Sequence, residues 1–525
     1  MSELKQLSRE IIEEIQDGEI EEKQEVEKRK KELCSELGFS GMPKNSDLLK
    51  FAEDDEKKAQ HVLKTKPMRT ISGIANVAIM ARPAPCGGGC IYCPKGEDAP
   101  QSYTGKEPAT RRAIRNGYDP YDQVEDRLGQ YEKNGHSINK SKLIIMGGTF
   151  PFQDPDYQKK FLKRAFDGLN EYGEGEKAET LEEAQVQNET ADVRNVGVTF
   201  ETRPDIAETK HIDRILDMGG TRVEMGVQTV FDETHEITNR GHGMEPVIEA
   251  TKRLKNAGFK VAYHFMLGLP GEERKHDIEK FKEAFNNADY QPDEVKIYPC
   301  EVIQGTELYR QYEEGDFEPI DDDEAKDRLK EVLRNHMPPH VRVKRVMRDI
   351  PSTEVDAGPQ LTNMRQMALQ ELEKEGTHCR CIRCREVGHV RRKRDETPET
   401  VELVERDYEA SGGHEYFQSF EDTDKDIILG FTRLRAPPES HRDEIDDNTL
   451  LVRQLKVLGS ATDFGEEGEA QHQGYGKRLM ENAEEKAREL GRDKVVVISA
   501  VGTREYYRKL GYEREGPYMV KYLEE

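Results

Sequence analysis

Three cysteines spaced C-x3-C-x2-C, Cys86, Cys90 and Cys93, enclose a run of Gly87, Gly88 and Gly89. Three thiolates can bind three irons of a 4Fe-4S cluster and leave the fourth iron open to another ligand. A zinc site is the other reading, but zinc cysteines commonly come in pairs with two further ligands and without such a glycine run. A second group, Cys379, Cys381 and Cys384, has the tighter spacing C-x-C-x2-C. It offers three soft ligands for a closed zinc site whose fourth ligand would be His378, His389 or Cys300; unligated thiols are the alternative. Odd-numbered local groups of this kind suit metal binding in a reducing compartment better than disulfides.

Towards the other end, Gln471-His472-Gln473-Gly474-Tyr475-Gly476 reads Q-x-x-G-x-G and is followed by an amphipathic stretch, 477–490, that stops at Gly491. Such glycines let backbone N–H groups approach a pyrophosphate closely, and the start of a helix adds partial positive charge. Lys477 opens that helix. A strand over 450–457 precedes the glycine arm, a strand over 494–499 follows it, and the tail runs Tyr506-Tyr507-Arg508-Lys509-Leu510-Gly511-Tyr512.

The elements that must position these groups can be read from hydrophobic periodicity. Leu4, Leu7, Ile11, Ile12 and Ile15 share one helical face, so residues 1–65 form a small helical unit. From 66 to 350, apolar strands at 143–146, 195–200, 222–227, 260–266 and 294–298 alternate with amphipathic helices such as 158–169 and 245–257. That alternation predicts an α/β architecture, a parallel barrel or partial barrel. In such barrels the site is assembled at the C-terminal strand ends, which selects Glu201, Gln228 and the segment Met146-Gly147-Gly148-Thr149-Phe150 as rim candidates. Residues 351–395 read as a polar, cysteine-bearing connector, and 396–525 as a last mixed unit. The 525 residues carry 80 Lys+Arg against 105 Asp+Glu, a net charge of −25. A polyanionic partner therefore needs a local basic surface. Arg111, Arg112 and Arg115, Arg342, Lys344, Arg345 and Arg348, and the run 391–394 are the groups available. No apolar run of about 18 residues occurs and the chain opens MSELKQLSRE, so a cytoplasmic protein is expected, neither membrane-spanning nor secreted.

The first cysteine group resembles that of radical S-adenosylmethionine (SAM) enzymes, in which SAM chelates the open iron. The resemblance assigns Tyr92 to the adenine side and Gly147, Gly148 and Thr149 to the amino group of SAM, with Glu201 and Gln228 as further contacts. The glycine arm and tail resemble GNAT-type acetyltransferases. This implies acetyl-coenzyme A on Gln473, Gly474, Tyr475, Gly476 and Lys477, its pantetheine along Gln454, Leu455, Lys456 and Val457, and Tyr507 near the thioester. Both modules in this order resemble the Elongator catalytic-subunit family. The residues are Lys66-Pro67-Met68-Arg69-Thr70, Ser102-Tyr103-Thr104-Gly105, Glu107-Pro108-Ala109-Thr110, Tyr118-Asp119-Pro120-Tyr121, residues 199–205, residues 224–228 and Val501-Gly502-Thr503-Arg504. That family implies a radical SAM partial (β/α) barrel packed on a GNAT domain with a zinc-binding connector. It implies carboxymethylation of the wobble uridine of tRNA, with Lys140, within Gly135-His136-Ser137-Ile138-Asn139-Lys140, touching acetyl-CoA. It further implies a tRNA anticodon stem-loop as partner, an external electron donor, and a homodimer or Elongator-like subunits. The chain departs from the family in having Gly87-Gly88-Gly89 where Pro-His-Gly is common, Pro94-Lys95-Gly96 for Pro-Gly-Gly, and Arg453-Gln454-Leu455-Lys456-Val457 for Glu-Leu-His-Val. A protein lysine acetyltransferase with a structural cluster and a lapsed tRNA-binding scaffold are the competing functions.

Overall fold

The computed structural model describes residues 3–39, 41–53, 55–65, 70, 72–173, 175–459 and 474–524. Helices Glu3–Asp17, Lys23–Glu36, Asn45–Leu49 and Lys57–Leu63 form the N-terminal unit. Leu7, Ile11, Ile12 and Ile15 are buried against Val26, Leu33, Leu48 and Leu63. Leu4, on the same face by periodicity, is only half-buried.

Seven parallel strands follow in sequential order: β1 (Ala75–Met80), β2 (Lys140–Met146), β3 (Arg194–Thr202), β4 (Gly220–Gln228), β5 (Lys260–Leu267), β6 (Glu294–Pro299) and β7 (Arg342–Val346). β1 and β7 are the two edges of this sheet, so the barrel is partial. Strand connections are helical, as parallel neighbours require. The helix Pro155–Asn170, for instance, starts on an Asp154 side chain that caps Tyr157 N–H and buries Phe161, Leu162, Ala165, Phe166 and Leu169 on the outer face of the sheet.

Alternation along the strands sends one set of side chains outward beneath the helices and the other into the lumen. On β2 the outward set is Ser141, Leu143 and Ile145, all buried, and the lumen set is Lys140, Lys142, Ile144 and Met146. Closed barrels stack branched aliphatic side chains inside. Here the lumen positions of β4 to β7 instead carry Arg222, Glu224, Lys260, His264, Glu294, Lys296 and Lys344.

Beyond the connector helices Met364–Lys374, Ile382–Arg385 and Val387–Arg394 lies a second sheet of seven strands. Its strands are β8 (Glu402–Ala410), β9 (Gly413–Asp422), β10 (Ile427–Ala436), β11 (Thr449–Val457), β12 (Lys494–Val497), β13 (Glu513–Glu515) and β14 (Tyr518–Tyr522), in spatial order 13-14-12-11-10-9-8. Among the described residues only β11 and β12 run parallel in this sheet, and they pair from Thr449↔Lys494 to Val452↔Val497. Past Val452 they diverge, while β11 stays paired to β10 through Val457. A bulge at Arg453 marks the point of divergence.

The second sheet packs on the N-terminal end of the barrel. Gly502 lies where a Cβ would meet Asn195 O at 2.8 Å and Asn195 N at 2.9 Å. Arg504 pairs with Glu189 at 3.0 Å. At the centre, Arg453 forks onto Asp293 at 2.7 and 2.8 Å, Glu415 accepts from Arg453 and Arg435, and Arg433 donates to the Asp293 carbonyl at 3.2 Å. These three arginines are fully buried. Among the described residues no helix is long and apolar enough to cross a membrane.

Candidate active site

The cysteine loop begins where β1 ends and is folded over the C-terminal mouth of the barrel. Ala81 N–H bonds Met146 O at 3.0 Å, tying the loop to β2, while Ile91 N–H reaches Thr238 O at 3.1 Å and Ile91 O accepts from Leu308 N–H at 2.9 Å. Gly96 is required at its turn, because a Cβ there would sit 2.1 Å from the Thr104 carbonyl oxygen. Gly88 likewise leaves room for Arg203, whose Nη1 would stand 2.1 Å from a Cβ at that position. The absent side chain at Gly88 is thus exploited by an arginine held on Asp205 at 2.9 Å through both Nε and Nη2.

Beneath the loop is a cavity of about 1250 Å³, counted to its open mouth. Cys86, Cys90, Tyr92 and Cys93 line it from above, Gly148, Thr149, Glu201 and Gln228 from the strand ends. The site residues expected for SAM and the cluster are therefore brought together, Gly147 lying beside Gly148 and packed against Ala81. Gln228 has φ +72, and Ser102 and Asn239 on the cluster side have φ +78 and +51. Non-glycine residues in this region are uncommon and concentrate where surrounding structure imposes them at functional sites. Asn239 uses the conformation to donate to Gly89 O at 2.8 Å.

The donor set fits a 4Fe-4S cluster. The sulfurs of Cys379, Cys381 and Cys384 all lie within 4.8 Å of one another, whereas Cys86, Cys90 and Cys93 form no such compact group among the described residues. A tetrahedral ion with bonds of about 2.3 Å holds its sulfurs about 3.8 Å apart, so the wider set suits a larger inorganic core. Sulfur-directed donors are in place: Arg240 Nη1 at 3.2 Å from Cys90 Sγ, and Gln101 Nε2 at 3.2 Å and Ser102 Oγ at 3.0 Å from Cys93 Sγ. Such bonds stabilise thiolate charge. Arg203 Nη1 is buried without a hydrogen-bond partner at the cavity wall, which fits an anionic group such as the SAM carboxylate.

The cavity floor is a charged layer in which the sequence pointed to Glu201, and to Lys344 as a phosphate ligand, but not to His264 or Lys296. Lys296 Nζ lies 3.1 Å from Glu201 and 2.5 Å from Glu224; His264 Nε2 is 3.2 Å from Glu224, Lys344 pairs with Glu224, and Tyr103 Oη donates to Glu201 at 3.2 Å. Burial alone would raise the Glu224 carboxyl, but Lys296 and Lys344 hold it well below its ordinary range. Burial pushes His264 down. The Glu201, Glu224 and His264 ligand atoms are close enough to hold a cation, yet the Lys296 ammonium already contacts both carboxylates. The sequence signal for this layer was the charged residue at every other position of apolar strands, which inspection for core strands passes over.

In the second sheet, Gln454 to Val457 lie on the part of β11 that has diverged from β12. Gln454 Oε1 accepts from Arg433 Nε at 3.1 Å. The helix Tyr475–Glu489 begins on Gly474, φ +78, so Gly474, Tyr475, Gly476 and Lys477 form its first turn; Gln473 is outside the described residues, as are Gln471 and His472 and the segment 66–69. Lys477 is exposed. A Cβ on Gly476 would approach the Tyr506 hydroxyl at 2.8 Å, which places Tyr506, not selected beforehand, beside the glycine arm. Tyr507 is buried among Leu434, Val452, Met480 and Tyr512, and burial beside Tyr506 raises its phenol. Lys140 is the first residue of β2, at the barrel end that meets the second sheet and about 20 Å along the strand from the cluster loop.

At the second cysteine group no fourth histidine, cysteine or carboxylate joins the three sulfurs within 4.8 Å among the described residues. His378 is bonded to Asp426 at 3.1 Å, His389 Nε2 is 4.0 Å from Glu386, and Cys300 belongs to a separate cluster with Ile91, Tyr92 and Met266. Arg365 approaches instead, at 3.6 Å from Cys381 and 3.5 Å from Cys384. The expected basic track is also altered. Arg112 is buried under β1 with Nη2 on Ala78 O at 2.6 Å, Arg342 pairs with Glu386 at 2.8 Å and Lys344 is in the lumen. Arg111, Arg115 and residues 391–394 remain exposed.

The chain matches family models described as ELP3 N-terminal domain over 4–71, Radical SAM superfamily over 85–284, Radical SAM C-terminal domain over 292–374 and Acetyltransferase (GNAT) domain over 467–521. A Methanocaldococcus jannaschii protein named tRNA uridine(34) acetyltransferase is 47% identical over 543 residues, spanning 100% of this chain and 99% of its own. Elongator complex protein 3 of Homo sapiens is 40% identical over 515 residues, 95% of this chain and 93% of its own. The solved structure of Methanocaldococcus infernus Elp3 with an N-terminal deletion superposes with a TM-score of 0.78 at 45% identity, covering 86% of this chain and 100% of that one. A radical SAM half-barrel, a GNAT sheet and near full-length identity together identify this chain as a member of the Elongator complex protein 3 family.

Proposed function

We propose that the protein modifies uridine 34 of tRNA, joining the methyl carbon of the acetyl group of acetyl-CoA to carbon 5 of the base and yielding 5-carboxymethyluridine after thioester hydrolysis. The observation that carries this reading is the pairing, on one chain, of a cysteine-roofed cavity at the barrel mouth with a sheet whose β11 and β12 part beside a glycine-capped helix. Its relatives named tRNA uridine(34) acetyltransferase support the substrate. Cys86, Cys90 and Cys93 would hold the cluster, which with SAM supplies a 5′-deoxyadenosyl radical, a reagent able to take hydrogen from an unactivated methyl group. Tyr92, Gly147, Gly148, Thr149, Glu201 and Gln228 would seat SAM. The Lys296 layer presents an ammonium and an imidazole to whatever base enters the cavity. A base-modifying enzyme must take its target out of the stack to reach such a site. Gln454 to Val457, residues 473–477, Lys140 and Tyr507 would serve acetyl-CoA. Cys379, Cys381 and Cys384 would hold zinc, with Arg365 offsetting thiolate charge, and the exposed residues 391–394 would meet RNA phosphates.

The test is an anaerobic reaction of the reconstituted protein with tRNA, SAM, reductant and acetyl-CoA, read by mass spectrometry of nucleosides and of 5′-deoxyadenosine. Carboxymethyluridine and deoxyadenosine should both form, and both should vanish in Cys90→Ala. Acetylation of lysine without consumption of SAM would replace this reading with protein acetylation, and tRNA binding with neither product would replace it with a scaffold.

A further inference from the structure

Beside the second cysteine group is an open groove of about 2190 Å³, counted to its mouth. One wall is the helix Met364–Lys374 and the other is the helix Val387–Arg394. Asn363, Gln366 and Gln370 line the first wall at i, i+3 and i+7, the spacing of one helical face. All three are exposed, and their side-chain amides make no hydrogen bond among the described residues. Asn363 holds the N-cap position, where an asparagine ordinarily accepts from the first helical turn, and here it does not. The second wall supplies Arg392, Lys393 and Arg394, and Arg383 lines the groove as well. Glu373 is the one carboxylate among the lining residues described, a local reversal of the chain's 80 Lys+Arg against 105 Asp+Glu.

The groove adjoins the active-site mouth through β7. As an edge strand β7 has carbonyls to satisfy, and the connector meets them: Arg365 Nη1 donates to Val343 O at 2.9 Å and Arg383 Nη1 to Lys344 O at 2.7 Å. The residue after Lys344, Arg345, lines the active-site cavity together with Arg348. Arg383 thus has one N–H on β7, while its other N–H groups make no hydrogen bond among the described residues. A nucleotide chain that gives up one base to the active-site cavity and continues past β7 comes onto this groove.

An enzyme that takes one base out of its stack leaves the flanking nucleotides outside the pocket, where they too can be read. Phosphate contacts set the register of such nucleotides, and contacts to base edges read their identity. A wall of arginine and lysine suits the first task. A wall of amides, each with donors and an acceptor, suits the second, because unpaired RNA bases offer their edges to hydrogen bonds. An acidic peptide would satisfy the cations and leave the amide wall without a role. We propose that this groove holds the unpaired nucleotides next to uridine 34, with Arg383, Arg392, Lys393 and Arg394 on phosphates and Asn363, Gln366 and Gln370 on base edges. The proposal rests on the reading of tRNA as substrate and adds to it a site that selects among tRNAs.

Two measurements test it, both on the full chain with a synthetic anticodon stem-loop and without SAM or acetyl-CoA. With 4-thiouridine placed next to uridine 34, irradiation should crosslink the RNA to peptides within 362–374 or 383–394, identified by mass spectrometry; crosslinks confined to other peptides overturn the proposal. In anisotropy titrations, wild type should bind stem-loops that differ only in the bases beside uridine 34 with unequal affinity. The double substitution Gln366→Ala, Gln370→Ala should cost about tenfold of that preference, and alanine at exposed helical positions favours the helix. Lys393→Ala with Arg394→Ala should instead weaken every stem-loop alike and reduce the salt slope by about 2. An unchanged preference in the glutamine variant, or no preference in wild type, overturns the proposal. If wild type binds no stem-loop, the tRNA reading itself falls; if it binds and crosslinks elsewhere, only the groove falls.

Discussion

Replacing Asp293 with Asn tests how the two sheets are joined. Asp293 is fully buried just before β6, accepts Arg453 at 2.7 and 2.8 Å and Val261 N–H at 2.8 Å, and has Arg433 at 3.5 Å and Lys255 at 4.0 Å. Burial would raise its carboxyl, but Arg453, Lys255 and Arg433 hold it well below the usual range, so it is charged at neutral pH. Asn preserves shape and leaves Glu415 alone to balance Arg433, Arg435, Arg453 and Lys255. Removing one partner of a buried ionic network costs about 3–5 kcal/mol because the remaining charges stay buried. With a urea slope of about 3 kcal/mol/M this moves the midpoint down by about 1–2 M. The chain has no Trp, so far-UV circular dichroism is the probe. Arg453→Met on its own should cost a comparable amount, and the two together less than their sum by about 2 kcal/mol. A loss below about 1 kcal/mol for Asp293→Asn, or strict additivity of the pair, would refute the reasoning.

Other expectations follow from the same geometry. Gly502→Val drives a side chain into Arg194 and the Asn195 backbone, so limited proteolysis should release the two units from each other more readily than in wild type. The proposed zinc site predicts that Cys381→Ser lowers zinc content per chain while leaving iron content at the Cys86, Cys90 and Cys93 group unchanged. Glu294 and Glu386 are depressed to about 2 against ordinary unfolded values of about 4.3. Each therefore contributes about 3 kcal/mol that is fully present above about pH 4.5 and lost as pH falls towards 2. Acid titration of Glu294→Gln should show a correspondingly shallower loss across that window, and an unchanged profile would count against the assignment.

Much of the site was legible because it is local. Cysteine spacing, a glycine turn and a helix start are properties of consecutive residues, and strand periodicity alone put Glu201 and Gln228 at strand ends that do meet at one cavity. Local reading also has a characteristic failure. Arg112, Arg342 and Lys344 read in the sequence as part of a basic surface for phosphates, yet β-strand alternation and helix packing turn them inward. Tyr506 and Tyr507 are adjacent in sequence, and only the packing of their helix separates a ring at Gly476 from a ring in the core.

Residue type and short-range spacing were enough to mark out the two cysteine groups, the order of the modules and the class of each sheet. Tertiary structure decided which charges face one another: the Lys296 layer and the Asp293 junction each join strands that are distant along the chain. Their energetics depend on burial and on separations of a few ångströms, quantities that arise only when the lumen closes and the second sheet docks beneath it.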